Sequence, residues 1–79
     1  MGLFNFMVLG TKSSPNKKDE MKPHHFAKLL DIDSPAGDIA ELYVSKETAA
    51  VLTPLRNKRI TCEIFLDGKY TNVGVIKAA

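Results

Sequence analysis

The tract ITCEIFLDGKYTNVGVI, residues 60–76, alternates apolar and polar residues on both sides of Asp67-Gly68. An Asp-Gly pair flanked by alternating runs is the strongest short-range signal for a β-hairpin, because a tight hairpin turn needs residues that tolerate positive φ. Alternation then assigns the faces. Ile60, Cys62, Ile64 and Leu66 point inward and meet Val73 and Val75, while Thr61, Glu63 and Phe65 point outward with Tyr70, Asn72 and Gly74. Sliding the two-residue turn by one position leaves the faces unchanged, since the sum of paired residue numbers keeps its parity. Phe65 and Tyr70 are therefore expected as neighbours on the outer face, beside the turn.

The rest of the chain supplies partners for this hairpin. Residues 3–9 are almost wholly apolar, and their length suits a strand buried on both faces. HHFAKLLDID, residues 24–33, reads as a strand with Phe26, Leu30 and Ile32 on one face beside Lys28, although Phe26, Leu29 and Leu30 also fit one side of a short helix after Pro23. DSPAGD is a turn, and IAELYV is a strand with Ala40, Leu42 and Val44 on one face and Ile39, Glu41 and Tyr43 on the other. Ser45 suits a helix N-cap, and Glu47 in the first turn complements the helix dipole. The helix ends before Pro54, and so short a helix holds only when packed, here through Ala49 and Leu52.

With 79 residues the chain makes one domain, 1–79, with a modest core that self-association helps to stabilise. A homodimer is expected on that ground. Cys62 is the single cysteine, which excludes an intrachain disulfide and makes a reducing cytoplasm the simplest location. The apolar run of residues 3–9 is too short to cross a bilayer, so no membrane role is expected.

Charge is unevenly placed. Residues 11–25, TKSSPNKKDEMKPHH, carry Lys12, Lys17, Lys18 and Lys22 against Asp19 and Glu20, and so hold the whole net charge of +2. The remaining seven basic and seven acidic residues, of eleven and nine in all, cancel. A concentrated basic loop favours an anionic partner, of which nucleic acid is the commonest, although Lys, Ser, Pro and Asn also make an ordinary solvated connection.

The element order β-β-β-α-β-β resembles that of a small five-stranded OB barrel, mainly β, with one short helix between strands 3 and 4. In OB folds the loops between strands 1 and 2 and between strands 4 and 5 flank the ligand groove. The basic stretch is the first of these and the turn at DGK is the second. With TKSSPNKK, Tyr43 and FLDGKY in these places, the chain also resembles the small single-strand-binding, helix-destabilising proteins of filamentous phages, which are compact dimers with a basic hairpin loop and surface aromatics. The long polar loop and the helix depart from that group. The resemblance implies sequence-tolerant binding of single-stranded DNA or RNA, without catalysis and without a cofactor, in a bacterial host cytoplasm.

Single-strand binding needs cations for phosphates and flat rings for bases. Lys12, Lys17, Lys18, Lys22 and Lys69 can supply charge, with Arg56, Lys58 and Arg59 as a second basic cluster. Phe26, Tyr43, Phe65 and Tyr70 are the candidate stacking rings. Ordinary packing is the alternative for each: Phe26 suits the core best, and Phe65 and Tyr70 also suit a cross-strand pair or a dimer contact. His24 and His25 point to opposite faces and cannot share a metal ion. DIDSPAGD lacks the glycine and the bidentate glutamate of a calcium loop, with Ala36 and Leu42 at those places. No metal site or catalytic constellation is expected. The competing function is a protein-interaction module of a phage or mobile element, docking on a host or assembly protein through Phe65, Tyr70 and Ile76.

Overall fold

The computed structural model describes residues 3–18 and 21–78, so Asp19 and Glu20, counted in the loop charge, lie outside the described residues. Five strands form one antiparallel sheet. They are β1 (Phe4–Ser14), β2 (His24–Asp31), β3 (Ile39–Val44), β4 (Arg59–Asp67) and β5 (Tyr70–Ala78). Their spatial order is β3-β2-β1-β4-β5. Helix α1 (Lys46–Leu52) follows β3 and runs into a 3-10 turn, Thr53–Leu55. The fold is mainly β with one short helix between the third and fourth strands, as the pattern of the sequence indicates. Residues 24–31 are strand rather than helix.

The expected barrel is not closed. Among the described residues no hydrogen-bonded ladder joins β3 to β5. The sheet is nevertheless strongly curled. A flat sheet of this order would hold its edge strands about 19 Å apart, at about 4.8 Å per neighbour. Here the Tyr43 and Tyr70 rings are 5.2 Å apart, and the Ser45 N–H donates to Asn72 Oδ1 at 2.9 Å. A side-chain carboxamide therefore stands where a backbone ladder would close the sheet.

The core lies inside the curl. Val8, Leu29, Val44, Leu52 and Cys62 are its largest fully buried side chains, with Phe6, Ile60 and Val73 beside them. Helix α1 caps it as expected. Ser45 Oγ accepts from the Thr48 N–H, and Ala49 and Leu52 are buried.

Several expectations are corrected. The first strand is not buried on both faces, because Phe4 at its start, and Leu3 just before it, are exposed. The basic stretch is less of a loop than its polarity suggests. β1 continues through Ser14 and β2 begins at His24, with Ser14 opposite His24 and Lys12 opposite Phe26. Only residues 15–23 connect the two strands. The hairpin turn sits at Gly68-Lys69, one position beyond Asp67-Gly68, with Asp67 paired to Tyr70. Gly68 supplies φ +60 at the first central position, and the faces survive the shift. Leu66, expected inside, is 79% exposed because the hairpin tip outruns the core. Asn72, expected outside, is buried by the approach of β3.

One irregularity decides which way the second half of β1 faces. Val8 pairs with Leu29 but Gly10 pairs with Lys28, so Leu9 is an extra residue, a β-bulge in β1. Phe6 and Val8 face the core, and strict alternation would send Gly10 and Lys12 there too. The bulge resets the count. Gly10 and Lys12 share the outer face with Lys28 and Phe26 instead, and Gly10 takes φ +155.

Candidate nucleic-acid interface

The outer faces of β2, β3 and β5 meet in a row of rings. Phe26 and Tyr43, cross-strand partners, have ring centroids 5.4 Å apart. Tyr43 and Tyr70 bridge the gap between β3 and β5 at 5.2 Å. His24 joins the row at 5.5 Å from Tyr43 and shares a 2.8 Å hydrogen bond between its Nδ1 and the tyrosine hydroxyl. Tilted ring pairs of this kind are worth about 0.5–1.5 kcal/mol each beyond the area they bury, so the row is held by its own contacts. The three rings Phe26, Tyr43 and Tyr70 are half-buried, each leaving surface open to solvent.

Cations stand at both ends. Lys12 Nζ lies 5.6 Å from the Phe26 centroid. Lys69 Nζ lies 5.6 Å from Tyr70 and 6.0 Å from Tyr43. The Lys12–Glu41 ion pair, at 3.3 Å, is exposed on both sides. Such a pair contributes about 0–1 kcal/mol, so Lys12 can exchange Glu41 for a phosphate at little cost.

Of the residues singled out from sequence, Lys12, Tyr43, Lys69 and Tyr70 converge here. Arg56 lies on the same face beyond Phe26, lining a groove with Lys12 and Lys28. Lys17, Lys18 and Lys22 occupy the exposed β1–β2 tip. Asn16 shapes that tip, donating to the Lys22 carbonyl and accepting from the Lys18 N–H. Three residues fall elsewhere. Lys58 holds β1 through its carbonyl, which accepts from the Val8 N–H. Arg59 lines a separate depression with Asp33 and Lys77. Phe65 is on the expected face, but its ring lies over Gly74, where a Cβ would stand 3.4 Å from Phe65 Cε1. The ring partner of Tyr70 is Tyr43, not Phe65, because the curl brings β3 closer than the diagonal neighbour on β4.

Sequence reasoning missed His24 and Lys28 as members of this face and favoured the core for Phe26, which is also one of its candidate stacking rings. Lys28 was the available signal. A strand face that carries a lysine between Phe26 and Leu30, opposite the all-apolar Ala27 and Leu29, is the solvent face.

Cys62 takes no part. Burial pushes its thiol up from 9.0 to about 11, so it remains a neutral core group. Among the described residues no cluster of three or more His, Cys, Asp or Glu side chains is placed to hold a metal ion. None of their helices is long and apolar enough to cross a membrane.

The chain matches no family model, no curated protein and no solved structure.

Proposed function

We propose that this protein is an OB-like, non-catalytic binder of single-stranded nucleic acid with little base preference, of the kind the small phage helix-destabilising proteins represent. The observation that carries the proposal is the ring row Phe26–Tyr43–Tyr70 with Lys12 and Lys69 at its ends. Bases of any identity stack on such rings, and each is worth about 1–3 kcal/mol. Three further features favour it. β1 pairs with both β2 and β4, and the sheet curls with one side incompletely joined, which suits the partly open five-stranded barrel of OB proteins. The β1–β2 tip with Lys17, Lys18 and Lys22 and the β4–β5 turn with Lys69 are the two loops that flank an OB groove. The rings lie between cations, so phosphates and bases have separate partners.

The working form is a homodimer in the cytoplasm of a bacterial host, assembled away from the ring row. The exposed Phe65, Leu66 and Ile76 on the β4–β5 hairpin suit such a contact. The same apolar residues favour the second reading, a module that docks on a host or assembly protein. Fluorescence anisotropy with a labelled thymidine oligomer separates the two functions. Strand binding that is weakened in Tyr43→Ala supports the first. A wild-type protein indifferent to DNA and RNA strands at low salt leaves the second.

A further inference from the structure

Beyond Phe26 the ring row opens into a groove of about 380 Å³, within the range of small-ligand pockets. Its walls carry Lys12, Lys28 and Arg56 against the single carboxylate of Glu41. Among the described residues neither Lys28 nor Arg56 has an ion-pair partner. The floor is bare backbone. Gly10 faces outward because of the bulge, and a Cβ on it would stand 3.9 Å from Arg56 Nε, so the guanidinium lies over the glycine. Arg56 is anchored there from below. The Thr53 hydroxyl donates to the Ala49 carbonyl at 2.7 Å. Its oxygen is 2.8 Å from that of Thr11, which therefore donates. This link ties the end of α1 to β1 and fixes the approach of the Arg56 segment. The backbone confirms the anchorage, with the Asn57 N–H donating to the Val8 carbonyl.

Three cations stand here against one carboxylate, Glu41, which pairs with Lys12 and lies opposite Lys28 across β2 and β3, and such an excess over a glycine floor, beside a ring, suits a phosphodiester. Arg offers a planar fork to two phosphate oxygens, and Lys adds a mobile point charge. Resting on the single-strand reading above, we infer that Lys28 and Arg56 hold one phosphate of the bound strand over Gly10. The strand then has a set path. Its bases lie on Tyr70, Tyr43 and Phe26, and its backbone leaves the row between β2 and the segment after α1. Glu41 competes with that phosphate for Lys12, which keeps the groove selective for a ligand that meets all three cations.

The test pairs two measurements on wild type and the exposed double variant Lys28→Ala/Arg56→Ala. Anisotropy with a labelled thymidine oligomer is followed across salt concentration. Amide chemical shifts are followed on adding inorganic pyrophosphate. The variant is expected to bind the strand with a salt slope flatter by about 0.7, the change for the one phosphate that Lys28 and Arg56 hold together. Pyrophosphate should move the Gly10 and Thr11 amides of wild type and leave those of the variant in place. A wild type that binds the strand with the same slope as the variant, and Gly10 and Thr11 amides that ignore pyrophosphate, overturn the subsite while the function stands. A wild type that ignores the strand, but whose Gly10 and Thr11 amides respond to pyrophosphate only when Lys28 and Arg56 are present, overturns the function and supports the anion site. Indifference to both ligands overturns both.

Discussion

Tyr43 is the residue on which the proposed interface turns. It touches His24, Phe26 and Tyr70 at once and lies 6.0 Å from the Lys69 ammonium. Tyr43→Ala should weaken binding of a thymidine oligomer by about 1–3 kcal/mol. It should scarcely change the salt slope, because the ring releases no counterion. Anisotropy titrations at several salt concentrations check this, and a slope that falls with the affinity would mean that Tyr43 acts by holding Lys69. Cys62 gives a prediction about folding. Burial holds its thiol protonated to about 11, against the ordinary 9.0. Between those values the unfolded chain has lost the proton and the folded chain has kept it. The unfolded state binds fewer protons there, so stability is fully present below about pH 9 and falls as pH rises towards 11. The loss attributable to this thiol is about 2–3 kcal/mol at about 1.4 kcal/mol per unit. Urea unfolding of wild type and Cys62→Ala across this window should show a steeper decline for wild type, and parallel declines would remove Cys62 as the cause.

At the scale of elements, the bulge in β1 decides which way its polar half faces. Gly10 takes φ +155, a conformation that a side chain strains. Gly10→Ala should cost about 1–3 kcal/mol of stability, the usual range for a forced backbone. A urea midpoint unchanged from wild type would show that the bulge is not under this constraint. The sequence made some elements legible and hid others for definable reasons. Alternation around Gly68 was enough for the hairpin, because the side-chain period of a strand is local. It gave the face of Leu66 but not its depth, since depth depends on how far the hairpin outruns the core. It put Asn72 outside, since nothing near it in sequence shows that the end of β3 covers it. Thr11, Lys12, Ser13 and Ser14 read as loop because they are polar, yet they pair with residues 24–27 across the hairpin. Phe26 read as core because it is large and apolar, whereas its face is shared with Lys12 and Lys28. The candidate rings were half visible. Tyr43 and Tyr70 were legible as outward residues on separate strands, but their contact follows from the curl of the whole sheet.

At the scale of the molecule, the curl creates the proposed interface. β3 and β5 are the edges of the sheet, and only their approach brings Tyr43 to Tyr70 and to Lys69. The exposed edges and the apolar hairpin tip also suit self-association. Sedimentation equilibrium should show a homodimer at micromolar concentration, and Leu66→Lys/Ile76→Lys should shift it to monomer without unfolding. A wild type that stays monomeric at high micromolar concentration removes the dimer. The decisive measurement for the function is binding of one labelled thymidine oligomer, single-stranded and then annealed to its complement, at a low and a high salt concentration. The single strand should bind at low salt, weaken as salt rises, and bind more tightly than the duplex, whose stacked bases cannot reach the ring row. Equal binding of both forms, or none at low salt, would contradict an interface built from Phe26, Tyr43 and Tyr70.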